Sequence, residues 1–568
     1  MSLSVKLKEN KGGIAMRCIF LDTEFNRAGE LLLLGLSDGN SVEVFTSKDS
    51  MHQALKNILE DDRILLVGHN LVADLSIIRK NFPDLSVKAK VFDTMLMAQM
   101  ANSYEGRGIY DRIGLSELEG VGKEIRSEFL NMSSEGISEK HVEYLKEDVR
   151  AVKRLFKKQV GFLERYVAEG KRIYGTPLKV LDGLEIPLGI YAEFQFVKVL
   201  SKWHGVYFDE EQARVLYDRL DTETKDILMR AKIKYGIEVS NHNQIQSLLG
   251  VKSINKKMIT KEEIEKIKEK GLYEVYEYRT RWSFLKKQKD TVESILEKLQ
   301  EGRVKPELWQ IGAPTFRMSC KNPNLMQIPK GEVRSLIKAP EGYVLVVIDF
   351  SAIELRLAGA YLHKLLRGLY KDFGLYSALV QGADLHRLTA SKFTGKLPED
   401  VSKEERQLAK AVNFGTLYGA SAGTLAQTLE AQGFIVGEPE KLIEGFYRAF
   451  PEVERWHKLA KNSGLVLTLG GRLIRSSSRN TTLNYPIQGS GADLLKVFCV
   501  LLDKLCEERG IEAKQVLWIH DETVIEVKRE HTEALMQAVE EARQKAGRLV
   551  LGDVPFAIEV AQGDVYSK

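Results

Sequence analysis

GYVLVVIDFSAIELR (342–356) joins an apolar strand pattern that ends at Asp349 to the start of a helical pattern. A second acidic segment, VLWIHDETVIEV (516–527), has two apolar runs that flank His520, Asp521 and Glu522, as in a β-hairpin. Acids at the ends of neighbouring strands are placed to share a pair of divalent cations. Phosphoryl transfer needs little more than such positioning and charge neutralisation, so the two segments predict a site for that chemistry around Asp349 and Asp521.

The helical pattern over 403–418 offers cations that could balance phosphate charge. Arg406, Lys410, Phe414 and Tyr418 recur every four residues, so they lie along one stripe of the predicted helix. Two cations in line with two aromatic rings suit a triphosphate with its sugar and base. An ordinary amphipathic helix explains the spacing equally well, so both interpretations stay open on spacing alone.

Two polar segments accompany these elements. In LNYPIQGSGAD (483–493), Pro486 suits a helix start, and the amides of Asn484 and Gln488 can read hydrogen-bond acceptors. The other segment is TFRMSC (315–320), which is followed by NPNLMQIP (322–329) with Gln327. Each segment alone is as readily a polar turn.

The first 100 residues alternate strand and helix patterns, which is typical of an α/β fold. Strands are predicted at 16–21, 30–36, 41–45, 63–67 and 88–91, and a long helix is predicted at 138–169. A break that contains Gly and Pro at 174–177 predicts a domain boundary.

Carboxylates in this part follow an order that suggests a metal site. Asp22 and Glu24 follow the first strand, Asp74 opens a helix after GHN (68–70), and Asp148 lies one turn beyond Tyr144 on the long helix. Clustered acids suit hard cations such as Mg²⁺, and two such ions can activate a water for phosphodiester cleavage. Each acid taken alone is more readily a solvated surface group, so the order carries the interpretation.

Composition limits the class of protein. The 568 residues are 44% hydrophobic and 29% charged, which excludes a disordered chain, a collagen and a disulfide mini-protein, and the length predicts about three or four domains. The net charge is only +4, so any basic surface is local. The four cysteines form no CxxC pair, which fits buried thiols in a reducing compartment. We see no membrane-spanning or secretory segment, so we expect a soluble, cytoplasmic protein with no targeting segment in this chain and no membrane partner.

The middle of the chain reads as mostly helical. Residues 190–299 are rich in lysine, and KEEIEKIKEK (261–270) has the alternating charges of a solvated helix face. The polar loop KSINKK (252–257) is a tip that could touch phosphates, and a long helical region is predicted at 353–461.

The amino-terminal pattern resembles the proofreading 3′–5′ exonuclease domain of the DnaQ-like, ribonuclease H-fold superfamily over about residues 14–170. The resemblance implies that Asp22, Glu24, Asp74 and Asp148 are metal ligands and that Tyr144 orients the attacking water. Asp93, in FDTMLMAQM (92–100), also fits the family pattern, and we interpret it as structural.

The remaining motifs look like those of a family A DNA polymerase, the bacterial DNA polymerase I group. DFSAIELR resembles its motif A, RQLAKAVNFGTLYG (406–419) its motif B and IHDE its motif C, over about residues 185–568. The implied fold is α/β and α+β multidomain, with a ribonuclease H-like exonuclease domain at 1–178 and a right-hand polymerase domain at 179–568. Within the latter we expect a thumb at 185–305, a palm at 306–360 and 484–568, and fingers at 361–483. The family's separate 5′ nuclease domain is not expected here.

The polymerase resemblance also implies roles for single residues. Asp349 and Asp521 would hold two catalytic metals, with the Phe350 carbonyl as a further ligand and Glu522 nearby. Glu354 would exclude a 2′-hydroxyl. The implied residues that bind the incoming nucleotide are Arg406, Lys410, His386, Phe414, Tyr418, Glu354 and Phe350, and Lys410 would also protonate the pyrophosphate. The implied DNA contacts in the minor groove and at the primer end are Arg317, Gln327, Asn484, Gln488 and His520. Minor-groove acceptors are nearly independent of sequence, so contacts there can test the shape of a base pair without reading its sequence.

Some positions depart from the family pattern. Phe350 stands where Tyr is usual, Ala352 where Gln is usual, and Phe316 where Gly is usual, and the chain ends GDVYSK without the usual Asn-Trp pair. Phe316 would put a bulky ring where the backbone passes close to DNA, which predicts an altered primer grip.

The sequence therefore predicts a monomeric DNA-templated DNA polymerase with proofreading, active in replication or repair. It would use primer-template DNA and deoxynucleoside triphosphates, with two Mg²⁺ ions at each site and Mn²⁺ as a possible substitute. Two alternatives are a repair nuclease whose degenerate polymerase only binds DNA, and a non-catalytic nucleic-acid-binding protein. A primer-extension assay separates the polymerase from the repair nuclease, and the third alternative would require the order of the exonuclease acids to be coincidental.

Overall fold

The amino-terminal part folds around a five-stranded sheet in the computed structural model, which describes residues 16–174, 186–251, 254, 259, 261–367 and 373–566. Residues 1–15, the predicted boundary near residue 178 and all of loop 252–257 except Ile254 lie outside the described residues. The strands are β1 (Arg17–Phe25), β2 (Leu31–Ser37), β3 (Val42–Phe45), β4 (Ile64–Gly68) and β5 (Lys90–Asp93). Their order is β3-β2-β1-β4-β5, with β1 antiparallel to β2 and parallel to β4.

All five predicted strands are confirmed, with one correction to the first. The sequence suggested that Asp22 and Glu24 follow β1, whereas both lie within it, opposite Gly35 and Leu33 of β2. Pairing with a fully buried neighbour extends the strand through the acids, since β2 (LLLLGLS) is buried at every position. The helices of this part are α1 (Lys48–Leu59), α2 (Leu71–Asn81), α3 (Thr94–Glu105), α4 (Leu115–Glu119), α5 (Arg126–Phe129) and α6 (Glu139–Tyr174).

Helix α7 (Leu188–Ser201) belongs to two hydrophobic cores at once. Ile190, Phe194 and Val197 are buried in the core of the amino-terminal sheet. Leu188, Ala192, Phe196 and Val199, two positions out of phase, are buried in the core of the carboxy-terminal part. A helix that is apolar around most of its circumference has to be covered on both sides, so α7 joins the two parts.

A long antiparallel helical pair follows and confirms the predicted helical region. It consists of α8 (Glu210–Tyr235) and α11 (Tyr273–Lys298), with α9 (His242–Leu249) and α10 (Lys261–Glu269) at its tip. Strand β6 (Val206–Tyr207) pairs with β7 (Arg303–Val304) at its base. Asp209 caps α8 by accepting a hydrogen bond from the Gln212 amide at 3.1 Å.

A short hairpin and the first central strand come next. The hairpin is β8 (Glu307–Trp309) paired with β9 (Ser319–Lys321), and a short helix, α12 (Glu332–Ser335), precedes β10 (Tyr343–Phe350). The region predicted as one long helical stretch at 353–461 is a set of shorter helices, and a hairpin follows it. These elements are α13 (Ile353–Leu366), α14 (Gly374–Val380), α15 (Leu385–Thr394), α16 (Lys403–Leu417), α17 (Ala422–Ala431), α18 (Pro439–Ala449), α19 (Pro451–Leu459), β11 (Gly464–Leu467) and β12 (Leu473–Ser476).

The last part closes a four-stranded antiparallel sheet. It contributes α20 (Arg479–Glu508), β13 (Ala513–Ile519), β14 (Glu522–Lys528), α21 (Thr532–Val550) and β15 (Ile558–Gly563). The order is β13-β14-β10-β15, so the predicted hairpin lies beside the predicted acidic strand.

Pro486 does not begin a helix, contrary to the sequence expectation. Helix α20 begins two turns earlier at Arg479, because Ser478 and Thr481 form a capping box. Pro486 therefore lies inside the helix, where it cannot donate a backbone hydrogen bond.

The described residues include no helix with the length and hydrophobicity needed to cross a bilayer. All four cysteines fall within the described ranges, and each is buried and outside any disulfide.

Candidate active sites

Three carboxylates converge on one face of the amino-terminal sheet. Asp22 and Glu24 on β1 and Asp148 on α6 offer oxygen atoms that all lie within 4.8 Å of one another. The i, i+2 spacing on a strand puts Asp22 and Glu24 on the same side, and α6 lies across that side. Oxygen-only donors at this spacing fit hard divalent cations such as Mg²⁺.

Asp74 approaches the same cluster from α2. The Thr23 hydroxyl donates a hydrogen bond to the Asp74 carboxylate at 2.6 Å. Burial raises the pKa of Asp22, and the charge of Asp74 adds to the rise. The start of α2 is fixed by Asp93, which accepts hydrogen bonds from the Leu71 and Met95 amides at 2.7 and 2.9 Å. The structural interpretation of Asp93 is therefore consistent with its contacts.

The acids of this cluster have raised pKa values, because they are buried and lie close to other negative charges. Burial raises the pKa of Glu24 to about 8, with a further contribution from Asp148, and burial raises that of Asp74 to about 7. Burial also raises the pKa of Asp148 to about 6, against a hydrogen bond from the Tyr144 hydroxyl that lowers it. Four acids that resist ionisation together have the charge arrangement that bound cations relieve.

Arg126, on the short helix α5, is a site residue that the sequence did not indicate. Burial raises the pKa values of Asp22, Glu24 and Asp148, and the positive charge of Arg126 opposes that rise at all three acids. It lines a cavity of about 410 Å³ together with the acids, Tyr144, His69 and Lys123. No motif marks it, because it comes from an irregular segment that only the fold brings to the acids.

The acids of the second site meet at one end of the carboxy-terminal sheet. Asp349 on β10 lies opposite Glu522 on β14, and the Phe350 amide donates to the Asp521 carbonyl at 3.1 Å. Burial raises the pKa of Asp521, and the Asp349 charge adds to the rise while Arg317 and His520 oppose it. The strand pairing thus brings together the three acids that the motifs indicated.

Tyr566 is a second unpredicted neighbour of these acids. Its hydroxyl donates a hydrogen bond to the Glu522 carboxylate, and its side chain is fully buried. The Arg334 guanidinium lies over its ring at 5.0 Å from the centroid. This tyrosine stands in the GDVYSK segment that departs from the family pattern.

Glu354 and Tyr418 lie together near Asp521. Burial raises the pKa of Glu354, and the charge of Asp521 adds to the rise. The Tyr418 hydroxyl and the Arg317 guanidinium oppose it. Phe350 faces away from this group, with its ring edge-on to Phe556 at 4.6 Å.

The cationic stripe lies on α16, which a capping box between Ser402 and Glu405 begins. Arg406 donates to Asp384 at 2.7 Å, an acid that the sequence did not single out. His386 pairs with the Asn413 amide at 3.0 Å, and its ring centroid is 6.2 Å from that of Phe414. Burial, with the charges of Arg406 and Lys410, lowers the pKa of His386 to about 4. These contacts bring Arg406, Lys410, His386 and Phe414 to one surface.

The expected DNA-contact residues divide into two groups. One cavity of about 170 Å³ is lined by Arg317, Gln327 and His520. His520 is an exposed residue, and its backbone is left-handed (φ 54°). Asn484 and Gln488 lie one turn apart on α20 and do not line that cavity; Asn484 donates to the Asn480 carbonyl at 2.8 Å.

The orientation of Phe316 differs from the sequence expectation. Its side chain is fully buried, with the ring against the Arg472 guanidinium at 4.0 Å. The ring therefore points into the protein and not toward the surface where DNA was expected, because an ion network inside the molecule provides it with a partner.

Comparison with known proteins agrees with this arrangement. Residues 210–568 match the family model for DNA polymerase family A, and residues 7–160 match that for a 3′–5′ exonuclease. The chain therefore belongs to DNA polymerase family A, and it is a DNA-directed DNA polymerase with a 3′–5′ exonuclease domain.

Similar proteins cover most of the chain. It is 32% identical to DNA polymerase I of Aquifex aeolicus over 97% of this chain and 96% of that protein. It is 27% identical to DNA polymerase I of Pseudomonas aeruginosa over 91% of this chain but 58% of that protein. The fold is similar to that of the POL domain of Pol1 from M. smegmatis in a complex with DNA primer-template and dNTP. The TM-score is 0.73 at 22% identity, over 97% of this chain and 96% of that one.

Proposed function

We propose that this protein extends the 3′ end of a primer by two-metal phosphoryl transfer and removes mispaired 3′ ends at its second site. The observation that supports the first activity best is the pairing of Asp349 with Glu522, beside Asp521, within one sheet. Acids so arranged, with the cations of α16 on a neighbouring surface, can hold both ends of an in-line displacement.

The polymerase site would divide its work among a few side chains. Arg406 and Lys410 bind the triphosphate, with His386 beside them, and Lys410 gives its proton to the pyrophosphate as it leaves. Glu354 and Tyr418 close the space under the sugar, which excludes a 2′-hydroxyl, and Phe414 supports the base. A buried His386 of low pKa is neutral near pH 7, so it serves as a hydrogen-bond partner and not as a charge.

Asp349, Asp521 and the Phe350 carbonyl are the groups we assign to two Mg²⁺ ions at this site, with Mn²⁺ as a substitute. Asp22, Glu24, Asp74 and Asp148 are assigned to two more at the exonuclease site. Bound divalent cations lower the pKa of an attacking hydroxyl or water and neutralise the leaving oxygen. Tyr144, next to Asp148, orients the water that attacks the last phosphodiester bond.

Primer-template DNA would lie against Arg317, Gln327, Asn484, Gln488 and His520. We propose residues 1–178 as the exonuclease domain and 179–568 as the polymerase domain, with the thumb at 185–305, the fingers at 361–483 and the palm in the remainder. The chain would act as a cytoplasmic monomer on deoxynucleoside triphosphates.

Separate inactivation of the two sites tests this proposal. We expect Asp349→Ala and Asp521→Ala each to reduce extension of a 5′-labelled primer by at least about 10³-fold while 3′ degradation continues, because each loses an acid that no neighbour replaces. The double variant Asp22→Ala, Glu24→Ala should show the reverse. Glu530→Ala, an exposed acid next to the same sheet, is the control and should leave both activities unchanged. Full extension by either polymerase variant, or no extension by the unaltered protein, would overturn the proposal.

A further inference from the structure

Phe316 has a backbone conformation that its side chain disfavours. It lies in the loop between β8 and β9 with φ 64°, a left-handed value that is strained for a bulky residue. The loop is closed by two backbone hydrogen bonds, from the Phe316 amide to the Ala313 carbonyl and from the Gly312 amide to the Arg317 carbonyl, both 2.8 Å. Such strain persists only where surrounding contacts hold it.

Those contacts are buried charges. Four charged side chains, each at most 1% exposed, provide these contacts: Glu193 on α7, Arg472 in the turn between β11 and β12, and Asp493 and Lys496 on α20. The two negative charges balance the two positive charges, and Arg472 forms an ion pair with both acids, Glu193 and Asp493. Burying four charges is costly unless each is paired, so the arrangement tolerates little displacement.

This cluster fixes the backbone next to Arg317. Lys496 donates to the Phe316 carbonyl at 2.8 Å, to the Gln310 carbonyl at 3.0 Å and to Glu193 at 2.6 Å. Arg472 lies on the Phe316 ring, which holds that residue from its other end. Phe316 is therefore held both at its carbonyl, by Lys496, and at its ring, by Arg472, and this fixes the peptide bond that joins it to Arg317.

The exonuclease part takes part in the same arrangement. Ser103 on α3 donates to the Pro314 carbonyl at 2.9 Å, and Arg475 on β12 donates to the Tyr104 carbonyl at 3.0 Å. The Phe316 ring is buried in the apolar core that includes the amino-terminal sheet. The loop is thus held from the side where excision is proposed to occur.

Arg317 lies near the polymerase acids. It lines one cavity together with His520, the residue that precedes Asp521. Its Nε atom is buried without a hydrogen-bond partner, so the side chain has donor capacity left for a ligand.

We propose that Phe316 is a positioning residue that holds Arg317 on the primer end and so sets how the 3′ terminus divides between extension and excision. The inference rests on the proposed contact of Arg317 with primer DNA. A looser Arg317 would release the terminus more often, and released termini would be cut.

Phe316→Gly tests this inference, since glycine accepts the left-handed backbone but has no ring for Arg472. We expect the KM for primer-template to rise about tenfold, less than the ~10²-fold that a 1 Å misplacement can cost, with kcat changed less. The ratio of excision to extension on a matched primer should rise in parallel, while degradation of single-stranded DNA stays unchanged. Thermal melting reports whether the fold is intact.

Three further variants make the test decisive. Arg317→Ala should show the same direction with a larger effect. Ser103→Ala, which removes one hydrogen bond to the loop, should raise the ratio about twofold, the scale of a weakened neutral hydrogen bond. Ser391→Ala removes a comparable bond to the Lys396 carbonyl in the fingers and should change nothing.

The outcomes separate the inference from the proposed function. If Arg317→Ala is defective while Phe316→Gly and Ser103→Ala match the unaltered protein, the inference is wrong and the proposed function stands. If Arg317→Ala itself matches the unaltered protein, the proposed DNA contact is wrong. If Phe316→Gly fails to fold, an unchanged ratio in Ser103→Ala overturns the inference, and a raised ratio supports it.

Discussion

Arg126 introduces a cation into a group of acids that would repel the phosphate they are proposed to cut. Its charge acts on Asp22, Glu24 and Asp148 at once. With the proposed metals bound to the acids, we expect the guanidinium to form charge-assisted hydrogen bonds to a phosphodiester.

We expect Arg126→Ala to slow 3′ excision by about 10- to 100-fold, the equivalent of losing a hydrogen bond to a charged group, and to leave primer extension unchanged. Single-turnover degradation of labelled DNA measures the effect. Arg154→Ala, which removes an exposed arginine paired with Glu147 on α6, is the control. Equal loss in both variants would show that general charge, and not position, matters.

The residues of the motifs could be predicted from the sequence, but the residues that contact them could not. Asp22, Glu24, Asp349 and Asp521 sit in short patterns whose spacing follows strand geometry. Arg126, Asp384 and Tyr566 come from segments outside the motifs, and only the folded chain brings Arg126 and Tyr566 to the acids and Asp384 to Arg406. No local periodicity encodes such long-range contacts.

Helix α16 depends on its first turn for the position of its cations. Ser402 accepts from the Glu405 amide at 3.2 Å, and the Glu405 carboxylate accepts from the Ser402 amide at 2.8 Å. Arg406 and Lys410 follow within two turns, so fraying of the start would move the groups proposed to bind the triphosphate.

Ser402→Ala should cost about 1 kcal/mol at this helix end and raise the KM for nucleotide about threefold to fivefold, with a smaller change in kcat. Ser421→Ala removes the equivalent cap of α17, which accepts from the Thr424 amide at 3.2 Å, and should leave that KM unaltered. Steady-state incorporation of a single nucleotide compares the two. An unchanged KM in Ser402→Ala would mean that the cap does not position the cations.

Elements were predicted better than their ends. The strands around Asp22 and Asp349 follow from apolar runs, but the extension of β1 depends on its pairing with β2. The early start of α20 depends on the Ser478 capping box, which outweighs the preference of Pro486 for a first turn. Both corrections arise where tertiary pairing or capping competes with local propensity.

The whole molecule should respond to pH through the exonuclease acids. Their folded pKa values, about 8 for Glu24, 7 for Asp74 and 6 for Asp148, exceed the ordinary 4.5 for Glu and 3.8 for Asp. Between these limits the folded state binds more protons than the unfolded state, so the free energy of unfolding falls as pH rises from about 4 to 8. Cations bind the ionised acids and offset this loss.

We therefore expect Mg²⁺ to raise the melting temperature, relative to EDTA, more at about pH 8 than at about pH 5. The double variant Asp22→Asn, Glu24→Gln should reduce that difference and should itself melt higher than the unaltered protein in EDTA at the higher pH. Differential scanning calorimetry measures both. A metal-induced shift of equal size at the two pH values would contradict this account.

Helix α7 has a practical consequence for anyone who wants the polymerase without its nuclease. Ile190, Phe194 and Val197 contribute one apolar stripe to the amino-terminal core, while Ala192, Phe196 and Val199 contribute another to the carboxy-terminal core. A fragment truncated near residue 186 would keep the helix and expose the first stripe to water, which favours aggregation during expression. Replacement of Asp22 and Glu24 in the full chain is therefore the sounder engineering route, since we expect it to abolish excision while both stripes stay covered.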